Sequence, residues 1–229
     1  MLRDRTSEWF VPKFGPRSFR LCVGMMFLPY TAIIVSFTAW GSLVGPFTLE
    51  RLGAICLLYF LALGVSAHCL DAVGGKTRPW GELPKRKVLT IGLSAFGVTC
   101  AIGLYYAFLD SPLLIPIGII ECFFLFAYNL ELFGGRFHNN ISVLISWAIL
   151  PIFAGSAIQT NSIPIEAVLL AILSSVLTYI LITTSRKYKE LKRDGTDSSL
   201  TNKKELILKT ISGGVVFGTL IFFLVRILA

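Results

Sequence analysis

Charge is scarce in this sequence. Asp, Glu, Lys and Arg make up 15% of its 229 residues, against roughly 25% in a typical soluble domain. An apolar share of 55% makes up the difference and excludes an ordinary soluble globule. Polar stretches long enough to fold by themselves are also missing, so residues 1–229 read as a single integral-membrane domain. The apolar runs lack the period-two alternation of barrel strands, which leaves helices as the spanning structure. Cys22, Cys56, Cys69, Cys100 and Cys122 all lie in apolar runs without CxxC spacing, an arrangement that argues against disulfides and zinc. Behind the first apolar run there is no small-residue cleavage site, and the run is too long for a signal-peptide core, so it is expected to stay in the chain.

What is present is length of apolar run. A hydrocarbon core of about 30 Å takes roughly 20 apolar residues per helix, and seven runs qualify, at about 18–41, 51–70, 87–109, 112–132, 141–160, 163–185 and 206–228. The expected fold class is all-α, a polytopic membrane bundle of about seven transmembrane helices. All but Arg51 and Arg226 of the 21 Lys and Arg fall in the N-terminal segment or in alternate connectors after the second, fourth and sixth runs. Positive charge collects in cytoplasmic loops, so the expectation is a cell-membrane protein with its N-terminus cytoplasmic and its C-terminus external. The net charge of +8 then reflects attraction to anionic membrane lipids rather than to nucleic acid. "EWFVPKFGPRSFR" (Glu8 to Arg20) interleaves aromatic and basic residues, with Pro12 and Pro16 breaking any continuous helix. Residues 1–17 therefore read as an interfacial segment.

Ionisable residues inside such runs need a reason, because placing one in hydrocarbon costs at least a few kcal/mol. His68 and Asp71 are three apart at the end of the second run, so they share a helix face and can hydrogen-bond, or else form a helix end solvated at the interface. Glu121 falls near the middle of the fourth run, with Tyr128 seven residues on along nearly the same face and Glu131 at the mouth. It reads as a protonated acid bonded to a neighbouring helix or as a proton or ligand site. "SRKYKELKRDGTD" (Ser185 to Asp197) places Glu190 and Asp194 four apart, stacked for a divalent cation if the helix continues, and otherwise forms a solvated basic loop. The three charged mouths, at residues 68–87, 128–138 and 186–197, all fall on the cytoplasmic side. A cavity there, floored by apolar helices and rimmed by charge, suits a lipid with a long tail and an anionic head.

These residues resemble the UbiA-type membrane prenyltransferases over most of the chain. "AHCLDAVGG" occupies the position of the family's Asp-rich motif after the second span, with Asp71 matching an aspartate, His68 in place of another, and Gly75 where the last acid stands. "TRPWG" keeps the family's RP turn as Arg78 and Pro79, and "AYNLELFGGR" keeps Tyr128 but has Leu132 where a lysine is usual. "SRKYKELKRD" matches the last motif with Arg186, Glu190 and Asp194, and has Lys187 in place of an acid. The resemblance implies a UbiA-like fold, shorter by a helix pair than the usual nine, whose open face a homodimer or partner subunit would cover. It implies Mg²⁺-dependent transfer of a polyprenyl group from its diphosphate to a hydrophobic lipid or aromatic acceptor. Asp71, Glu190 and Asp194 would hold the metal; His68, Lys76, Arg78, Arg136 and Arg186 would bind substrate; and Asp71 and Tyr128 would serve catalysis. Two other classes fit the sequence: a non-catalytic UbiA-like lipid- or quinone-binding protein, and a small transporter coupled through Glu121, for which no inverted repeat is visible.

Overall fold

A computed structural model of the chain describes residues 5–74, 80, 83–195 and 198–228. The described residues contain no strand. Among the described residues seven helices carry the fold: α1 (Arg17–Leu43), α2 (Leu49–Gly74), α3 (Lys85–Leu109), α4 (Leu114–Asn129), α5 (Asn140–Thr160), α6 (Ile165–Asp194) and α7 (Ser198–Leu228). All except α4 are long and apolar enough to cross a membrane. The 16 residues of α4 extend about 24 Å at 1.5 Å per residue, short of a hydrocarbon core of about 30 Å. Phe108 on α3, Leu169 on α6 and Phe217 on α7 stand exposed on the outer faces. Such exposure suits lipid and would be costly in water.

The pairing of α1 with α5 sits at the centre. Gly41 of α1 lies against the backbone of Ile152, Gly155 of α5 lies against the backbone of Thr38, and neither leaves room for a Cβ. The Ser42 hydroxyl donates to the Gly155 carbonyl at 2.9 Å across the same contact. Small residues are what let helix backbones approach this closely in lipid, where burial from water supplies no drive between helices. Phe37, Ile152 and Ile158 fill the surrounding space and are fully buried.

At the end of the bundle away from the basic clusters, Arg51 at the start of α2 ties three elements together. Its guanidinium donates to the Ile158 carbonyl of α5 at 2.6 Å and to Asp110, in the α3–α4 turn, at 2.6 Å. Asn161 of the α5–α6 turn accepts from the Leu113 N–H at 3.0 Å, so the start of α4 is fixed to this same end. Two helices widen into π-helical turns, α2 over Phe60–Ala67 and α5 over Ile145–Ile149. Single π turns recur at functional sites, and both of these border cavities.

Candidate functional site

Near the basic end, α1, α2, α4, α5 and α6 enclose a cavity of about 230 Å³. His68 and Asp71 reach it from the end of α2, Tyr128 from the end of α4, and Ser185, Arg186 and Lys189 from α6. Arg5, Glu131 and His138 complete its charged rim, and Phe27 and Trp147 its aromatic wall. Spacing on α6 explains which side chains arrive. At about 100° per residue, Lys189 lies about 40° and Arg186 about 100° from Ser185, so the three share one arc of the helix.

Phe27 shapes the mouth. It interrupts α1 with a left-handed backbone (φ 46°, ψ 47°), after which the chain turns helical again at Leu28 with Pro29 in its first turn. A left-handed non-glycine residue is strained by roughly 1–2 kcal/mol, and here the turn brings the ring into a cluster. Its centroid lies 4.7 Å from His68, 4.8 Å from Phe10 and 5.6 Å from Trp80, with the Arg5 guanidinium over it at 5.8 Å. The N-terminal segment is therefore packed onto the bundle beside the cavity. Arg20 tethers it by donating to the Pro12 carbonyl at 2.9 Å and the Thr6 carbonyl at 3.0 Å, and Lys192 pairs with Glu8 at 3.3 Å.

The lower end of α4 supplies the opposite wall. Glu131 takes the left-handed position after the helix (φ 49°), and the Leu132 N–H returns to the Ala127 carbonyl at 3.0 Å. Glycine usually fills this capping position; a glutamate there sets a carboxyl on the cavity rim. The following Phe133, Gly134 and Gly135 also have positive φ, so the chain doubles back and brings His138 over Tyr128. The two rings stack at 4.2 Å, and the His138 Nδ1 lies 3.3 Å from the Tyr128 carbonyl.

Five of the residues singled out in the sequence thus meet: His68, Asp71, Tyr128, Glu131 and Arg186. His68 and Asp71 share the cavity face, but no bond between them forms; His68 lies against the Phe27 ring instead. Lys76 and Arg78 lie outside the described residues. Arg136 is exposed and does not line the cavity; its carbonyl accepts from Asn139 at 2.8 Å. Glu190 and Asp194 are not brought to Asp71. They lie further round α6, beyond the arc of Ser185, Lys189 and Arg186, where Glu190 pairs with Lys187 at 3.0 Å and Asp194 with Arg193 at 2.8 Å. Arg5, His138 and Lys189 were not singled out for the site by sequence. Lys189 had a readable signal, being four residues after Ser185 and three after Arg186; Arg5 and His138 arrive through turns that no periodicity announces.

The donor set does not fit a magnesium ion held by Asp71, Glu190 and Asp194. Among the described residues no group of three His, Cys, Asp or Glu side chains is placed to hold a metal ion. Positive charge in the cavity comes instead from Arg5, Arg186 and Lys189, which face the carboxylates of Asp71 and Glu131. Guanidinium and ammonium groups at a partly desolvated site are the usual partners of phosphate oxygens. Comparison of the chain with protein-family models, with curated proteins and with solved structures found no match in any of the three. The likeness to UbiA-type prenyltransferases therefore rests on the motifs quoted above.

Proposed function

We propose that the chain binds an isoprenoid diphosphate in the cavity at the basic end and transfers its prenyl group to a hydrophobic acceptor. One observation carries the reading: His68, Asp71, Tyr128 and Arg186, drawn from three separated motifs, line a single cavity together with Arg5 and Lys189. The three cations would hold the diphosphate oxygens, and the apolar helices below would take the tail. In the transfer, the allylic carbon–oxygen bond breaks with its electron pair going to the diphosphate, whose growing charge Arg186, Lys189 and Arg5 neutralise. Tyr128, Phe27 and Trp147 line the cavity, where aromatic rings would help stabilise the allylic cation and exclude water. The acceptor then bonds to that carbon and gives up a proton, for which Asp71 is the base. No step is assigned to magnesium.

A non-catalytic binding protein is the second reading, favoured by the position of Glu190 and Asp194 away from the cavity. One experiment separates the two. Purified protein in lipid nanodiscs is titrated with a fluorescent isoprenyl diphosphate, and turnover is followed with varied acceptors. Joint Arg186→Ala and Lys189→Ala replacement is expected to weaken binding by about 100-fold, as for two charge-assisted hydrogen bonds. Asp71→Asn is expected to stop transfer and leave binding within about threefold. Binding without turnover for any acceptor selects the second reading; no binding by the unaltered protein overturns both.

A further inference from the structure

A second cavity, of about 370 Å³, lies between α2, α3, α4 and α5 and, among the described residues, shares no lining residue with the first. Its walls are almost wholly apolar, with Leu63, Phe96, Leu104 and Leu125 among them. Among the described residues, Glu121 is the one acidic or basic side chain in the lining. It sits near the middle of α4, where the Tyr59 hydroxyl donates to its Oε1 at 3.0 Å, the carboxyl's one hydrogen bond among the described residues. A carboxyl group has more acceptor capacity than one phenol uses.

The cavity opens sideways. Leu104 and Ile119 belong to its lining yet are 51% and 65% exposed on the outer face. Gly118, also in the lining, has open space where a Cβ would project. The gap between α3 and α4 therefore meets lipid at the depth of the hydrocarbon, and an occupant arrives from the bilayer. Its chemistry is constrained by Glu121. An anionic head would meet a carboxyl with no cation in the lining, and an ammonium head would lose its hydration at mid-membrane depth. A head without a donor would leave carboxyl capacity unused in an apolar space. An uncharged hydroxyl on a single apolar chain meets all three constraints.

We propose that this cavity binds a single-chain lipid alcohol, its hydroxyl donating to Glu121 and its chain lying along the apolar walls toward the α3–α4 opening. The site is independent of the function proposed above. Cys100 and Cys122 line the cavity and Cys22 does not, so the protein's own thiols report occupancy. In nanodiscs, the rate of N-ethylmaleimide labelling at each cysteine is followed by peptide mass spectrometry with dodecanol, its methyl ether, dodecane or dodecylamine added. Dodecanol is expected to slow labelling of Cys100 and Cys122 by about fivefold beyond the ether, the effect of one hydrogen bond, with Cys22 unchanged. Glu121→Leu should reduce the dodecanol effect to that of the ether, and Tyr59→Phe should preserve it; Glu121→Met makes the same comparison if the leucine variant does not fold. Equal protection by ether or dodecane, stronger protection by dodecylamine, absence of protection, or undiminished protection in the Glu121 variants would each overturn the proposal.

Discussion

Single residues carry different tasks at the two ends of the bundle. At the basic end, Arg5, Arg186 and Lys189 face a cavity, whereas at the far end Arg51 is spent on holding α2, α5 and the α3–α4 turn together. Hydrogen bonds from Arg51 and then Ser111 hold the Asp110 carboxyl below its ordinary value. A carboxyl depressed in the folded state adds stability above its unfolded value of about 3.9, and that contribution is lost as pH falls through the lower folded value. The thermal unfolding midpoint in detergent should therefore drop on acidification below about pH 4, and Asp110→Asn should flatten part of that drop. The effect should shrink in high salt, because Asp110 is half exposed. An unchanged pH profile in Asp110→Asn would exclude this role. Arg51→Met should cost more at neutral pH, about 1–2 kcal/mol, since it also leaves the Ile158 carbonyl without its charged donor. At this scale the cavity was partly legible. His68, Asp71, Tyr128 and Arg186 stand out as polar groups at the ends of apolar runs, whereas Arg5 depends on the left-handed turn at Phe27, and the four-residue spacing of Glu190 and Asp194 does not reveal which side of α6 faces inward.

Elements were legible where the apolar pattern is dense. Each of the seven expected runs corresponds to one helix, because hydrocarbon leaves the backbone no other way to satisfy itself. Helix ends were less so. α6 continues to Asp194 and α7 begins at Ser198, since helix outside the apolar zone carries no hydrophobic signature. The π turns of α2 and α5 and the break at Phe27 have no signal in a 3.6-residue period. The close approach of α1 and α5 yields a contrast between glycines that all sit inside helices. Gly41→Ala or Gly155→Ala drives a methyl group into neighbouring backbone and should destabilise by about 1–3 kcal/mol or more, because backbone cannot step aside as a side chain can. Gly213→Ala meets open space and should leave stability unchanged or improved by up to about 1 kcal/mol. Thermal unfolding of the three variants in one detergent checks this; equal midpoints would mean that α1 and α5 are not closely packed.

For the whole molecule, topology turns on the shortest helix. Six crossings would return the C-terminus to the side of the N-terminus, and seven would place them apart, so the parity rests on α4. Its length of about 24 Å speaks against a full crossing, but its ends speak for one. The Leu113 N–H at its start is held by Asn161, beside the Arg51 and Asp110 latch, and Tyr128 at its finish stacks on His138 at the opposite, basic cavity. It therefore reaches between the same two polar layers as its longer neighbours. Phe123, Phe133 and Phe137 cluster at its lower end, with ring centroids 4.8 to 6.3 Å apart, and aromatic rings are the side chains that settle at a membrane interface. A short helix with such an anchor is accommodated by local thinning of the bilayer at a cost of fractions of a kcal/mol per Å. With Lys and Arg concentrated at the cavity end, the N-terminus should be cytoplasmic and the C-terminus external. Reporter fusions that are active on only one side of the membrane should accordingly signal from opposite sides when attached to the two termini. Lysines introduced around Asn161 should weaken this orientation, and signals from the same side would mean that α4 does not cross.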